Sequence, residues 1–226
     1  MCFSATASFT GGGLISLIGI ASMMKARKPT QKLFAGIPFL FGFQQIAEGI
    51  LWTTLKSGEH DQLQSAVTYT FLITALVIWP VMMPLSIWLM EEIKKRRKIL
   101  AGLTLIGGIL SLFYVFCLIS YNVTPQIESF HIKYIDNFPV IPIRIAFVFY
   151  VVTTIAPLFI SSMKRMWLFG ILITISCIIT SILFSQYLTS VWCFFAAVIS
   201  AVIYWILSIP QSENEPDLET SILQKT

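Results

Sequence analysis

The apolar positions of this chain form seven long runs that are separated by short polar segments. A transmembrane helix needs about 20 predominantly apolar residues. Membrane β-barrel strands instead alternate apolar and polar positions over about ten residues, and runs such as FLITALVIW do not alternate. The pattern therefore predicts an all-α, polytopic membrane protein, a bundle of seven helices near residues 10–24, 33–55, 66–90, 99–120, 140–162, 166–185 and 188–209.

The composition of the chain indicates that its surroundings are a lipid bilayer. Its 226 residues are 56% hydrophobic and only 12% charged, whereas soluble domains contain about 25% charged residues. The net charge of +4 comes from short basic runs between the apolar segments. We therefore expect contact with lipid and no binding of nucleic acid. The composition leaves oligomerisation open.

The distribution of basic residues predicts the orientation of the helices. Lys and Arg concentrate in the connections after the first, third and fifth runs, at 25–32, 94–98 and 164–165. Because loops on the cytoplasmic side carry an excess of Lys and Arg, these connections are expected inside the cell. The N-terminus is then outside and the C-terminus inside. We expect one transmembrane domain at 1–210 and a flexible, acidic cytoplasmic tail at 211–226.

One apolar run contains a group of polar residues, in the segment FGFQQIAEGILW. Gln44, Glu48 and Trp52 follow one another at intervals of four, which places them on one face of a helix, with Gln45 one step round. We call these four residues the polar stripe. Glu48 lies about 10 Å below the outer end of its predicted helix at 1.5 Å per residue. A charged side chain at the bilayer centre costs at least about 3 kcal/mol, so the stripe is expected to face the interior of the bundle.

Two interpretations of the polar stripe are open. Glu48 is either part of a site for a ligand, an ion or a proton, or a member of a hydrogen-bonded clamp between helices. Arg144, near the outer end of the fifth run, either pairs with Glu48 across the bundle or extends its side chain to the lipid headgroups. Trp79 lies in the middle of its run beside Pro80 and is expected to line a cavity at the kink that proline introduces.

Cysteine and histidine positions suggest a second kind of chemistry on the outer side. Cys2 is a candidate catalytic nucleophile or metal ligand, because a thiolate serves both roles. Glu48, His131 and Cys193 are in the outer half of the predicted bundle and are chemically suited, with Cys2, to bind zinc or copper. Their spacing matches no metal-binding motif, and the sequence identifies no cofactor.

Four segments carry a family resemblance: MCFSATASF, QQIAEGILW, FHIKYID and TSVWCFFAA. With them the chain resembles, over nearly its whole length, an uncharacterised family of small bacterial seven-helix membrane proteins that begin Met-Cys-Phe-Ser-Ala. The resemblance implies location in the bacterial inner membrane, and it implies no activity. Many members have His-Gln where this chain has Gln44-Gln45, which weakens the metal interpretation. The chain's residues at family motif positions are Cys2, Phe3, Ser4, Gln45, Glu48, Trp52, His131, Tyr134, Trp192 and Cys193.

These observations support three functional hypotheses. The first is an outward-facing polar pocket centred on Glu48 that binds, senses or transports a small polar molecule, an ion or a proton. Its candidate ligand-binding residues are Gln44, Gln45, Glu48, Trp52, Trp79, His131, Tyr134, Arg144, Trp192 and Cys193. The second is an intramembrane enzyme that uses Cys2 with Glu48 or His131. The third is a structural or assembly protein in which the polar stripe only joins helices.

Overall fold

Helices make up most of the chain in the computed structural model, which describes residues 4–57, 61–128, 131–183 and 196–208. Helix α1 is followed by a 3₁₀ turn, the one-turn helix α2, and α3. Helix α4 continues through a π-helical segment into α5. A β-hairpin of strands β1 and β2 joins α6 to α7, and α8 and α9 complete the described part. The bounds are α1 Ala5–Lys25, 3₁₀ turn Pro29–Gln31, α2 Lys32–Ala35, α3 Ile37–Ser57, α4 Asp61–Leu72, π-helical segment Ile73–Ile78, α5 Trp79–Met90, α6 Lys94–Ser120, β1 Val123–Glu128, β2 His131–Asp136, α7 Val140–Ile160, α8 Met166–Leu183 and α9 Ala196–Ser208.

Five helical segments among the described residues are long and apolar enough to cross a membrane. They are Ala5–Lys25, Pro29–Ser57, Gln62–Met90, Lys94–Ser120 and Val140–Ile160. The apolar helices at Met166–Thr180 and Val198–Ser208 are shorter over the residues described. The described part of the chain is therefore mostly helical and contains five candidate membrane spans. The presence of seven spans stays a prediction. The division into one transmembrane domain and a C-terminal tail also stays a prediction.

The long connection after α6 differs from the all-α prediction, because it forms an antiparallel hairpin. Val123 pairs with Asp136 at one end of the hairpin and Glu128 with His131 at the other. Along β1 the first positions alternate, with Val123 buried and Thr124 exposed. That alternation with a period of two is the strand signal. It is short and lies among polar residues, so the hydrophobic pattern alone does not predict a strand here.

All three basic connections lie at one end of the bundle, which we call the basic end. The ammonium of Lys28 lies 3.4 Å from Oε1 of Glu92, which brings the first connection beside the one that precedes α6. Ser162, between α7 and α8, donates its backbone N–H to the neighbouring Glu91. The β-hairpin lies at the opposite end, the hairpin end, where α6 finishes and α7 begins. Which end faces the cytoplasm stays a prediction.

Helix α1 packs along α3 through glycines that allow the two backbones to approach each other. A Cβ built on Gly12 would lie 3.0 Å from the carbonyl oxygen of Gly42, and one built on Gly42 would lie 3.0 Å from that of Gly12. Small residues at such crossings are typical of membrane helices, where close van der Waals packing holds helices together. This crossing positions the buried face of α3, on which the polar stripe lies.

The π-helical segment is held by side chains from two neighbouring helices. In a π-helix each N–H bonds the carbonyl five residues earlier, so Pro80, which has no N–H, leaves the carbonyl of Ala75 without a helical donor. The hydroxyl of Tyr150 on α7 donates to that carbonyl at 2.7 Å. Ser111 on α6 donates its hydroxyl to the carbonyl of Val77 at 2.5 Å. These bonds fix α6 and α7 against the segment.

A second proline of α5 explains its close contact with α6. Pro84 has no N–H for the carbonyl of Pro80, four residues earlier. That carbonyl group faces Gly107 of α6 so closely that a Cβ on Gly107 would lie only 2.8 Å from the Pro80 carbonyl carbon and closer still to its oxygen. Only glycine fits at this position without moving a backbone.

Replacing Gly107 with Ala is expected to lower the free energy of unfolding by about 3 kcal/mol, the upper part of the range for overpacking, because the contact is with backbone. Unfolding in mixed detergent–SDS micelles, followed by circular dichroism, measures the change. Gly108→Ala is the matched control on the next residue, since a Cβ there meets no atom within 4 Å. It should change stability by less than about 1 kcal/mol. Equal stabilities of the two variants would contradict the proposed packing.

Candidate functional site

The polar stripe on α3 is buried along its whole length. Gln45 and Glu48 have exposed fractions of 0%, Gln44 of 2% and Trp52 of 3%. Glu48 lies about 14 Å from the end of α3 at 1.5 Å per residue, well inside the Pro29–Ser57 candidate span. The prediction that the stripe faces the interior of the bundle is confirmed. A carboxyl group at this depth needs polar surroundings in the protein, because lipid supplies none.

Gln44 connects the stripe to α5. The indole Nε1–H of Trp79 donates to Oε1 of Gln44 at 3.1 Å, and the Trp79 ring packs on Phe41 with a centroid distance of 4.4 Å. Because an indole N–H can only donate, the bond fixes the amide of Gln44 with its oxygen toward Trp79 and its nitrogen away. The structure thus brings two of the predicted site residues into direct contact.

The β-hairpin covers the hairpin end of α3. Ile132 has an exposed fraction of 0% and belongs to the same apolar cluster as Trp52 and Phe71. The ring of Tyr134 stacks on that of Phe71, with a centroid distance of 5.1 Å and an angle of 12° between planes. His131 is buried in the same hairpin, and burial lowers its pKa below the ordinary value, which favours the neutral imidazole. His131 and Tyr134 therefore belong to the protein's interior rather than to a solvated loop.

Trp52 combines an apolar environment with an unused hydrogen-bond donor. Its ring is buried, and the ammonium of Lys56 lies 5.5 Å from the ring centroid. Among the residues that the structure describes, none accepts a hydrogen bond from the Trp52 Nε1–H. A buried donor without an acceptor costs about 1–3 kcal/mol. This donor lies one turn from Glu48 on the same face of α3 and is available to a bound oxygen atom.

Arg144 is not part of this buried group. It lies on an exposed position of α7, and it forms no ion pair with any residue that the structure describes. The position agrees with the alternative in which Arg144 extends toward lipid headgroups.

Three predicted site residues, Cys2, Trp192 and Cys193, lie outside the described residues. The hypotheses that Cys2 is a nucleophile or that Cys2, Glu48, His131 and Cys193 bind a metal therefore stay predictions. The described part of the chain contains no group of three or more His, Cys, Asp or Glu residues that would hold a metal ion.

A cavity of about 120 Å³ lies beside the π-helical segment, between α3, α5, α6, α7 and α8. Trp79 lines it, as predicted from its position next to Pro80. Most of the wall is aromatic or aliphatic, and Gln44, Tyr114 and Tyr150 contribute polar groups. The cavity thus shares Gln44 with the polar stripe.

A second buried carboxylate, Glu91, lies at the basic end and was not identified from the sequence. Its exposed fraction is 2%. Its Oε2 accepts from the backbone N–H of Ser162 at 2.7 Å, and its Oε1 accepts from the Ser162 hydroxyl at 2.6 Å and from the Ile93 N–H at 3.0 Å. In the sequence Glu91 and Glu92 are adjacent and precede a basic run, so the sequence alone does not distinguish Glu91 from a surface residue. The one sequence feature that points to this role is the position of Glu91 directly after an apolar helix, where its carboxylate can accept hydrogen bonds from a neighbouring connection.

These features describe a membrane-like helical protein with a buried polar stripe and an adjoining cavity. A family model described as "Family of unknown function (DUF6629)" matches residues 1–216, and the chain belongs to that family. The predicted membership of an uncharacterised family is thereby confirmed, while the bacterial origin of its members stays a prediction. No curated protein and no solved structure shows a significant match to the chain.

Replacing Glu91 with Gln is expected to lower the free energy of unfolding by about 1–3 kcal/mol. A glutamine has one acceptor oxygen and no charge, so either the Ser162 or the Ile93 N–H would lose its carboxylate acceptor, and hydrogen bonds to charged groups contribute about 1.5–3 kcal/mol. Chemical unfolding in detergent at neutral pH measures the loss. Glu92→Gln is the control, because the Glu92 side chain is 82% exposed and exposed ion pairs contribute about 0–1 kcal/mol. Equal effects would contradict the structural role of Glu91.

The effect of Glu91 should also depend on pH. Burial by itself raises the pKa of Glu91, but the hydrogen bonds from Ser162 and Ile93 and the charge of Arg96 outweigh it, so the pKa lies below the ordinary value. A lowered carboxyl pKa stabilises the fold above the unfolded-state value of about 4.3 and ceases to do so as the pH falls through the folded-state pKa. The stability difference between the native chain and Glu91→Gln should therefore shrink below about pH 4.3. A difference that is constant down to acid pH would show that ionisation of Glu91 is not involved.

Proposed function

We propose that this chain is an integral membrane protein that binds a small polar molecule, an ion or a proton at Glu48, in a pocket reached from the hairpin end. The observation that carries the proposal is the complete burial of the Glu48 carboxyl group and the Gln45 amide within a candidate membrane span. Ionisable residues at membrane depth are expensive, and they mark ion, proton or substrate sites more often than packing positions.

The groups around Glu48 support recognition of a molecule with both donors and acceptors. The Trp52 Nε1–H supplies a donor that no described residue uses. Glu48 supplies a carboxyl group that can accept a hydrogen bond or a proton, and Gln45 adds an amide on the adjacent face of α3. His131 and Tyr134 are supplied by the β-hairpin. A small polar molecule that enters past the hairpin would meet these groups in succession.

The orientation we propose places the hairpin end outside the cell. The basic connections lie together at the other end, and basic loops remain in the cytoplasm. Bacterial inner membrane is the compartment that fits this arrangement and the resemblance noted above. In this orientation Glu48 is reached from outside.

Two measurements on the purified protein test whether Glu48 holds a ligand or a proton. Native mass spectrometry should detect an additional bound mass, or infrared spectroscopy should detect a carboxyl C=O band that responds to external pH. Either signal should disappear in Glu48→Gln and persist in Glu92→Gln, which changes an exposed carboxylate at the basic end. If the native protein shows neither signal, or if Glu48→Gln keeps it, the proposal is wrong.

A second candidate function, a structural clamp, is favoured by the Gln44–Trp79 hydrogen bond. Hydrogen bonds between side chains of membrane helices contribute about 0.6 kcal/mol on average and up to about 1.7 kcal/mol. A double-mutant cycle with Gln44→Leu and Trp79→Phe should give a coupling energy in this range. A coupling near zero would remove the support for a clamp. A coupling in this range, combined with the absence of any Glu48-dependent signal, would favour the clamp as the whole function of the stripe.

A further inference from the structure

We propose that the cavity beside the π-helical segment is a second binding site, which takes an uncharged, ring-sized, membrane-soluble compound that carries a carbonyl oxygen. The site goes beyond the proposed function, because Glu48 is not among the residues that line the cavity. Gln44 is the residue of the polar stripe that lines this cavity, so the two sites can be tested separately through variants at other positions.

The size of the cavity selects a single six-membered ring. Its volume is about 120 Å³. An engineered cavity of about 150 Å³ in another protein is known to hold a benzene molecule. A space somewhat smaller than that admits one ring with a small substituent and excludes fused ring systems. Any longer apolar tail would have to extend out of the cavity.

The walls of the cavity favour an aromatic or otherwise planar ligand. Rings of Phe41 and Trp79 line it on one side, and those of Tyr150 and Phe169 contribute from α7 and α8. Aromatic rings pack well against one another in offset or edge-to-face geometry. No Asp, Glu, Lys or Arg is among the residues that line the cavity, so a charged ligand would lose its hydration without gaining a counter-charge.

A hydrogen-bond donor in the wall selects an acceptor on the ligand. The bond from Trp79 holds the Gln44 oxygen, and Gln44 has no other hydrogen bond to a described residue, so its amide nitrogen keeps two unused donors. Gln44 is 2% exposed and lines the cavity, so those donors can serve an acceptor on a molecule held in the cavity. The Tyr114 hydroxyl, in the same wall, likewise bonds to none of the described residues. A carbonyl oxygen has two lone pairs and can accept from both groups.

The surface of the bundle suggests how such a compound enters. Phe147 lines the cavity and is 38% exposed. It lies on α7 within a candidate membrane span, where an exposed side chain contacts lipid. A rotation of this ring would open the cavity to the bilayer, so a lipid-soluble compound could enter sideways without crossing water.

The test compares two fluorinated probes that differ in the carbonyl group. The protein is placed in lipid nanodiscs, and ¹⁹F NMR follows the binding of 4-fluoroacetophenone and of 1-ethyl-4-fluorobenzene, with empty nanodiscs as the measure of partition into lipid. We expect saturable binding of the ketone and about tenfold weaker binding of the hydrocarbon, a difference of about 1.4 kcal/mol. Absence of saturable ketone binding, or equal binding of both probes, would overturn the proposal.

Three variants locate the binding within the protein. Tyr114→Phe and Gln44→Leu each remove donors from the wall and should weaken ketone binding about three- to tenfold. Ile173→Phe adds volume inside the cavity and should abolish it. Since Gln44→Leu also leaves the Trp79 N–H without its acceptor and can disturb folding, Tyr114→Phe provides the cleaner comparison. Unchanged binding in both Tyr114→Phe and Ile173→Phe would overturn the assignment to this cavity.

Two further variants distinguish this site from the one at Glu48. Leu105→Ala alters a side chain that is 67% exposed on α6 and should leave ketone binding unchanged. Glu48→Gln should also leave it unchanged, although the same variant is expected to lose the ligand or proton signal of the proposed function. Loss of ketone binding in Glu48→Gln would show that there is a single site and would overturn the inference of a second one.

Discussion

A membrane-spanning backbone must satisfy its own hydrogen bonds. Two prolines in the α4–α5 segment make this harder, because each of them lacks a backbone donor. Pro80 and Pro84 remove two N–H groups from one helix, and lipid offers no replacement. Neighbouring helices accommodate the two carbonyl groups that lose their donors. The hydroxyl of Tyr150 donates to the carbonyl of Ala75, and Gly107, which has no side chain, leaves space for the carbonyl of Pro80. The positions of α6 and α7 relative to α5 follow from these contacts. The cavity lies where the π-helical segment separates the same helices.

The polar stripe is buried for a similar reason, because polar side chains within a span must also find hydrogen-bond partners inside the protein. Gln44 accepts the hydrogen bond of the Trp79 N–H and also lines the cavity. Gln45 and Glu48 face the interior because the alternative is hydrocarbon. Close packing of α1 on α3, through Gly12 and Gly42, also covers Gln45, whose Cβ would lie 3.2 Å from one built on Gly12. The structural role of the stripe and the function we propose for it share a cause, because polar groups that stabilise a bundle also create a place where a polar partner can be held.

The sequence predicted the helices, the basic end and the burial of the stripe, because each depends on local composition or on a period that can be counted. Trp79 was identified for the same reason, through the proline beside it. The β-hairpin was missed because only a few positions near Val123 alternate. Glu91 was missed because its role depends on Ser162, which is remote in sequence. Pairing of Glu48 with Arg144 was a plausible alternative from depth alone, but depth along two helices does not determine which faces they turn toward each other.

The contact between Glu91 and Ser162 has a consequence for biosynthesis. Its two partners are separated by 71 positions in the chain, and all of α6, the β-hairpin and α7 lie between them. A ribosome delivers Glu91 long before Ser162, so the carboxylate stays hydrated at the membrane surface while those elements are made and inserted. Ile93 supplies one donor locally, but the two donors of Ser162 reach Glu91 only after α7 has been made. The hydrogen bonds between Glu91 and Ser162 can therefore form only after α6, the β-hairpin and α7 have been made, so they form late in assembly.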